Sequence, residues 1–213
     1  MIPLRVAIIG CGKVAAKHLK AIRDNHREAV LCALADTRPE AAADLLTASG
    51  YPVKLNERPQ IFSDVNSMLA AVKPDLAAIT TPSGYHFEQA MAAIQSGANV
   101  LVEKPLTLSL PEAHAMVGAA KTAGVRIAVG HIYRFFPMVQ TLAADLHSGR
   151  FGRILSGDVK VRWGHDQAYY DQAAWRGTWE LDGGALMNQS IHALDLITWL
   201  LGSPVREVTG WIG

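Results

Sequence analysis

A glycine-rich segment near the N-terminus has the residue types and spacing of a phosphate-binding turn. Gly10, Gly12 and Ala15 form the pattern G-x-G-x-x-A directly after the apolar run 4–9 and at the start of an amphipathic stretch. Gly10 permits a tight turn, Gly12 lets backbone N–H groups approach a pyrophosphate, and Ala15 allows close helix–strand packing. The pattern alone also fits an ordinary glycine-rich turn, but this context favours dinucleotide binding. The candidate contacts are Gly10, Gly12, Lys13, Val14 and Ala15.

An acidic residue lies where a dinucleotide ribose would need one. Asp36 follows the second apolar run, 30–35, about 20 residues after the glycine pattern. A carboxylate there accepts hydrogen bonds from the adenosine ribose and repels a 2′-phosphate, which predicts NAD as the cofactor. Arg38, with Thr37 beside it, leaves NADP open because arginine can hold that phosphate, although a solvated role at a helix start is the simpler interpretation.

Two later turns follow apolar runs and are expected at the same sheet edge. The first contains Thr81, Pro82 and His86, and the second contains Glu103 and Lys104. A lysine buried at a strand end has a lowered pKa and is suited to exchange a proton with a hydroxyl, although lysines in loops are usually exposed. His86 is equally compatible with capping or packing its own helix and with contacting the cofactor.

The elements that position these residues alternate in the manner of βαβ units. This alternation predicts an α/β fold, a Rossmann doubly wound parallel sheet, in a dinucleotide-binding domain over residues 1–130. The predicted strands are 4–9, 30–35, 75–80, 100–103 and 125–129, and the predicted helices are 14–24, 39–48, 65–72, 86–95 and 111–122.

Beyond residue 130 the pattern changes to that of a second, α+β domain over residues 131–213. Helices are predicted at 137–147 and 183–201, strands at 154–163 and 205–212, and an irregular aromatic stretch at 164–178. Two strands and a few helices make a marginal domain, so we expect this part to be incomplete.

Composition narrows the class of partner. The 213 residues carry 20 basic and 19 acidic side chains, a net charge of +1, without a basic stripe. This balance argues against nucleic acid and anionic membranes as partners and favours a small molecule. Two cysteines without metal-ligand spacing predict no metal site and a reducing, cytoplasmic location. We expect no signal peptide and no membrane span.

The motifs together resemble the Gfo/Idh/MocA oxidoreductase family over essentially the whole chain. The matching segments are residues 10–15, Asp36, Thr81-Pro82, Glu103-Lys104-Pro105, residues 133–137 and residues 183–192. The resemblance implies hydride transfer between a nicotinamide and a hydroxyl-bearing carbon of a sugar, cyclitol or nucleotide sugar. It places Lys104 beside the nicotinamide and gives His192 a role in proton transfer. It also implies an open, mainly antiparallel sheet in the second domain and a homo-oligomer in the full-length form.

One position departs from the family pattern. Many members carry Asp where this chain has Asn188, which can hydrogen-bond a substrate hydroxyl but cannot take its proton. On a helix Asn188 and His192 share a face, so Lys104, His192 and Asn188 are the catalytic candidates, with the primary base left open between the first two. We expect Asp195 to face solvent rather than orient His192.

Aromatic and basic side chains suggest the substrate. Trp175 and Arg176 offer a stacking surface and an anion-binding group, and with Tyr133, Arg134, Asn188 and His192 they are the substrate-binding candidates. These aromatics also suit a domain base or an oligomer interface. The amino-acid sequence of this region resembles that of the family branch with UDP-N-acetylated sugar dehydrogenases. The alternatives are a non-catalytic NAD(P)-binding sensor or regulatory protein and an inactive truncated dehydrogenase.

Overall fold

The fold is built on one parallel sheet of six strands. The computed structural model describes residues 2–51 and 58–211. The strand order is β3-β2-β1-β4-β5-β6, and every neighbouring pair is parallel. The strands are β1 Leu4–Ile9, β2 Ala29–Ala35, β3 Gln60–Phe62, β4 Leu76–Ile79, β5 Asn99–Val102 and β6 Ile127–Val129. The order reverses between β1 and β4, so the crevice at their carboxyl ends is where such sheets bind ligands.

Helices cover both faces of the sheet. They are α1 Ala15–Asp24, α2 Pro39–Ser49, α3 Val65–Val72, α4 His86–Gln95, α5 Leu110–Ala123, α6 Pro137–His147, α7 Gln167–Asp171 and α8 Ile191–Leu201. Leu19 and Leu45 pack on one face with β1 and β2, whereas Met68, Ile94 and Met116 pack on the other. The strands are apolar because they are buried on both sides.

The predicted Rossmann elements agree closely with the observed ones. The bounds of β1, α3 and α4 are those predicted, and most others differ by one or two residues. Strand β3 was not predicted, because its three residues are too few to show a period, and none of them is fully buried. Its pairing with residues 33–35 of β2 becomes visible only in the folded sheet.

The prediction for residues beyond 130 was only partly correct. Helix α6 has its predicted bounds, but the predicted strand 154–163 belongs to no sheet, and neither do residues 205–211 of the other predicted strand, whose residue 212 lies outside the described part. An apolar alternating segment becomes a strand only when a neighbour supplies ladder hydrogen bonds, and none of the described residues does so here. The antiparallel sheet is therefore not observed. Helix α7 was missed inside the stretch predicted to be irregular.

Within the described ranges, no helix has both the length and the apolar character that a membrane crossing requires.

Candidate active site

The glycine turn leaves an open cradle at the start of α1. Gly10 has φ +89°, and a Cβ there would lie 2.8 Å from the backbone nitrogen of Thr81. A Cβ on Gly12 would have no atom of the described residues within 4 Å, so the structure leaves open space at this position. In the described part of the chain, the N–H groups of Gly12, Lys13 and Val14 have no backbone partner, and no side chain caps α1. Free N–H groups at a helix N-terminus suit an oxyanion.

Asp36 supports this turn directly. Its Oδ2 accepts a hydrogen bond from the backbone nitrogen of Cys11 at 2.8 Å, and its Oδ1 accepts one from that of Arg38 at 2.9 Å. A carboxylate has about four lone-pair sites, so acceptor capacity remains for ribose hydroxyls. Thr37 and Arg38 are exposed beside it. Burial, and then the charge of Asp36, raises the pKa of the Cys11 thiol to about 12.

His86 connects the turn after β4 to the turn after β5. It is 1% exposed, with Nδ1 2.7 Å from the Pro105 carbonyl oxygen and Nε2 3.0 Å from that of Thr81. Burial lowers its pKa, although both carbonyls favour the protonated ring. No ring nitrogen is left to face the crevice, so the predicted contact between this side chain and the cofactor does not fit the geometry. Pro82 directly precedes the short 3₁₀ turn Ser83–Tyr85 at the crevice edge.

Glu103 is turned towards helix α1. Its Oε1 lies 2.8 Å from Nε2 of His18, which links the strand end of β5 to the helix that begins at the glycine turn. Burial raises the pKa of Glu103, but the hydrogen bond and charge of His18, together with Lys104, hold it below its ordinary value. The carboxylate therefore orients the turn that carries Lys104.

Lys104 reaches across the crevice to the segment before α8. Its Nζ donates to the backbone oxygen of Asn188 at 2.7 Å and to Oδ1 of the same residue at 3.1 Å. Burial lowers the pKa of Lys104, and the carboxylates of Glu103 and Asp182 oppose that shift. The amine of Lys104 thus contacts a residue that lies 84 positions further along the sequence.

Asn188 lies in a π turn, Leu186–Ser190, and not in a regular α-helix. The predicted helix 183–201 is thus divided into this turn and α8, so the simple i, i+4 spacing between Asn188 and His192 does not apply. A π turn adds a residue to the helical ring and is frequent at functional sites. Here it presents both the backbone and side-chain oxygens of Asn188 to Lys104.

His192 begins a row of aromatic rings beside the amine. Its ring stacks on Tyr133 at 4.7 Å between centroids and meets the edge of His131 at 6.4 Å. Burial, and then the charges of Lys104 and His131, lowers the pKa of His192. Burial also lowers the pKa of His131, against the charge of Asp195. Both histidines therefore favour the neutral form near neutral pH.

Arg134 and Asp195 form an ion pair that the sequence did not predict. Arg134 donates from Nε and Nη2 to the two carboxylate oxygens of Asp195, at 2.8 and 2.6 Å, and lies over Trp199. Asp195 does not face solvent as expected, since its side chain is only 11% exposed. The pair joins the turn Ile132–Phe135 to α8. Arg134, a predicted substrate-binding residue, thus makes its two strongest contacts with Asp195.

A cavity of about 420 Å³ adjoins Asn188. Arg176 lines it, with its guanidinium 4.2 Å from the ring centroid of Tyr169 and 5.1 Å from that of Trp175. Asp182 also lines it and is 5% exposed. The cavity thus combines charged, amide and aromatic groups, a lining typical of polar-ligand sites.

Three residues near Lys104 were missed by the sequence analysis: His18, His131 and Asp182. His18 lies in the second turn of a helix, and its glutamate partner is 85 positions away, so no local pattern marks it. His131 lies two residues beyond β6, and its position just after a parallel strand was an available signal.

Comparisons with known proteins identify similarity over nearly all of the chain. Residues 4–131 match the family described as oxidoreductase family, NAD-binding Rossmann fold, and residues 139–213 match the GFO/IDH/MocA C-terminal domain. A D-glucoside 3-dehydrogenase of Escherichia coli is 29% identical over 95% of this chain and 55% of its own. A UDP-N-acetylglucosamine 3-dehydrogenase of Acidithiobacillus ferrooxidans is 34% identical over 98% of this chain and 58% of its own.

A solved structure extends the likeness to the fold. The WlbA dehydrogenase of Bordetella pertussis, in complex with NADH and UDP-GlcNAcA, superposes with a TM-score of 0.86 and 38% identity, over 94% of this chain and 59% of its own. The chain thus spans little more than half the length of these relatives. The chain belongs to the Gfo/Idh/MocA family of oxidoreductases.

Proposed function

We propose that this chain binds NAD(H) and carries the proton-handling residues for hydride transfer to or from a hydroxyl-bearing carbon of a sugar or nucleotide sugar. The observation that carries the proposal is the contact of Lys104 Nζ with both oxygens of Asn188, in the crevice onto which the glycine turn opens. An amine held by two acceptors, half-buried and beside two histidines, is suited to proton exchange with a hydroxyl.

The residues present fit a dinucleotide. Free N–H groups and open space at Gly12 would hold the pyrophosphate, and Asp36 would hold the adenosine ribose. Thr81, Pro82 and Glu103 would shape the nicotinamide side of the crevice, with His86 supporting them from beneath. NAD is our proposal, and the exposed Arg38 is the one feature that would favour NADP.

The bound nicotinamide ring would supply the hydride acceptor or donor. In the oxidative direction, neutral Lys104 takes the hydroxyl proton at Nζ while Asn188 fixes the direction of its lone pair. The O–H bond breaks and an N–H bond forms, the C–H bond of the same carbon breaks as its hydride passes to the acceptor that the nicotinamide would supply, and the carbonyl product is released. His192, neutral near pH 7 and stacked on Tyr133, either shares that proton or hydrogen-bonds the reacting oxygen.

The cavity beside Asn188 suits a polar, ring-shaped ligand. Trp175 holds the guanidinium of Arg176, which would bind a carboxylate or phosphate of the substrate. The UDP-linked sugars named for two relatives carry such groups, and this supports a nucleotide sugar as the substrate class. Arg134 would orient Asp195 and α8 instead of binding substrate.

The division of the chain belongs to the same proposal. Residues 1–130 would form the cofactor domain and residues 131–213 part of a substrate domain that joins an open sheet and a homo-oligomer in the full-length form. A cytoplasmic location stays a prediction.

Substitution of Lys104 tests this function. Lys104→Ala should lower NAD-linked turnover of a nucleotide sugar such as UDP-N-acetylglucosamine about 10²–10⁴-fold, since that is the usual contribution of general acid–base catalysis. The affinity for NADH, measured by tryptophan fluorescence, should change little. Lys160→Ala, at an exposed lysine, is the control. Unchanged turnover in Lys104→Ala would contradict the proposal, and NADH binding without any turnover in the unaltered chain would favour the sensor or the inactive form.

A further inference from the structure

Asp182 is a buried carboxylate that forms no ion pair with any residue in the ranges 2–51 and 58–211. Among the residues that the structure describes it is the only acidic side chain that is fully buried, at 5% exposed. Its Oδ2 accepts a hydrogen bond from the backbone nitrogen of Gly177 at 2.8 Å, whereas its buried Oδ1 has no hydrogen-bond partner in the part of the chain that the structure describes. A buried charge costs several kcal/mol unless other groups offset it, so its retention calls for a reason beyond one loop hydrogen bond.

The backbone around Asp182 is held between the two turns of the cofactor crevice. The nitrogen of Gly84, in the turn after β4, donates to the oxygen of Leu181 at 3.1 Å, and a Cβ on Gly84 would lie 2.5 Å from the oxygen of Glu180. On the other side, a Cβ on Gly183 would lie 2.5 Å from Cδ2 of Leu108, four residues after Lys104. These contacts fix the backbone that carries the carboxylate.

Asp182 and the amine of Lys104 flank the same residue. Asp182 lines the cavity together with Asn188, and Asn188 receives both hydrogen bonds from Lys104. The basic group that lines this cavity is Arg176, which rests on aromatic rings and forms none of the ion pairs within residues 2–51 and 58–211.

We propose that Asp182 is a positioning residue that acts on Lys104 through its charge, stabilising the ammonium that Lys104 becomes when it receives the hydroxyl proton of the substrate. The inference rests on the proposed function of Lys104. When the O–H bond of the substrate breaks and an N–H bond forms, a positive charge appears in a half-buried site, and a fixed carboxylate lowers the energy of that charge.

Several other groups also face Lys104. Glu103 and Asp182 favour its charged form. Three histidines are close enough for the charge of Lys104 to lower their pKa values, and they add positive charge only when protonated: His86, His131 and His192. Glu103 is already engaged by His18, which leaves Asp182 as the carboxylate whose charge no ion pair within the described chain offsets.

The test measures the titration of Lys104 without requiring turnover. The whole chain is labelled with trace acetic anhydride across a pH series, and the acetylation of the peptide containing Lys104 is followed by mass spectrometry, because only the neutral amine reacts. In Asp182→Asn, which retains an acceptor for Gly177, the midpoint of Lys104 should fall by about 0.5 unit or more. Asp158→Asn, at an exposed acid in the same part of the chain, should leave the midpoint unchanged.

A rescue variant makes the result decisive. Asn188→Asp in the Asp182→Asn background returns a carboxylate to the immediate partner of Lys104 and should raise the midpoint again. A midpoint that responds to Asn188→Asp but not to Asp182→Asn would overturn the proposal. If Asp182→Asn does not fold, the carboxyl ¹³C resonance of Asp182 in the unaltered chain should show a step at the Lys104 midpoint, and absence of the step would also overturn it.

The outcomes for Asp182 and for the proposed function are separable. A shifted midpoint with no turnover would support the action of Asp182 on Lys104 and reject the dehydrogenase proposal. Turnover that depends on Lys104, together with an unchanged Lys104 midpoint in Asp182→Asn, would support the dehydrogenase proposal and reject the action of Asp182 on Lys104.

Discussion

At the scale of single residues, the site is a set of ionisable groups whose surroundings favour their neutral forms. Burial lowers the pKa of Lys104, His131 and His192, and carboxylates on neighbouring elements limit these shifts. A lowered pKa reduces the cost of holding Lys104 as the neutral amine that can accept a proton. The chemistry therefore depends on burial and charge together and not on any one side chain.

His192 should report the charge of Lys104. Its pKa lies below the ordinary value because the ring is partly buried and the ammonium of Lys104 is close by. In Lys104→Met the positive charge is lost, so the imidazolium costs less and the midpoint of His192 should rise towards about 6.5. Histidine NMR titration measures this midpoint.

The control for that titration is His26, which is exposed two residues beyond the C-terminal end of α1. Its midpoint should be the same in both proteins. A His192 midpoint that does not move in Lys104→Met would mean that burial alone sets its pKa and that the two groups do not share a site.

The sequence identified some of these residues and could not identify others. Lys104, Asn188 and His192 lie in motifs, so their types and spacing were visible. The contacts of Arg134 with Asp195 and of His18 with Glu103 join residues 61 and 85 positions apart and depend on how α8 and α1 dock. Asp195 was therefore predicted wrongly to face solvent, since periodicity on one helix does not show what packs against it.

At the scale of elements, two glycines of the same turn have different roles: Gly10 serves folding and Gly12 serves binding. Gly10 is required by the backbone, with a positive φ and Thr81 against its Cα, whereas Gly12 has open space above it. The first glycine thus serves the contact between β1 and the turn after β4, and the second keeps room for a ligand.

Alanine substitutions at these two glycines should affect different quantities: the stability of the fold at Gly10 and the affinity for NADH at Gly12. Gly10→Ala should lower the free energy of unfolding by about 1–3 kcal/mol, because a side chain at positive φ is strained and would meet the backbone of Thr81. Gly12→Ala should leave stability nearly unchanged and weaken NADH binding at least about tenfold by obstructing the pyrophosphate. Urea unfolding and fluorescence titration measure the two quantities.

Gly118→Ala is a suitable control, since it lies in α5 with open space around its Cα. It should bind NADH normally and unfold at the same or higher urea concentration. Tight NADH binding by Gly12→Ala would place the pyrophosphate elsewhere.

At the scale of the whole molecule, the two halves of the chain differ in how their backbone N–H and C=O groups are hydrogen-bonded. The six strands between Leu4 and Val129 pair in a sheet that is covered by helices, and most of these elements were predictable because buried parallel strands and their helices leave local patterns. Residues 154–163 alternate apolar and polar side chains as a strand would, yet Leu155, Val159 and Trp163 are exposed and unpaired. Local pattern predicts the tendency of such a segment, whereas its pairing depends on a partner strand.

Hydrogen exchange should resolve this difference along the chain. Amides of β1, β4 and β5 should be the most protected, because they open only with the whole sheet, whereas amides of 154–163 should exchange within seconds, since no ladder protects them. Mass spectrometry of peptides, at low and high protein concentration, measures both. Protection of 154–163 that appears only at high concentration would mean that a second copy supplies the missing strand, and protection at every concentration would contradict an unpaired segment.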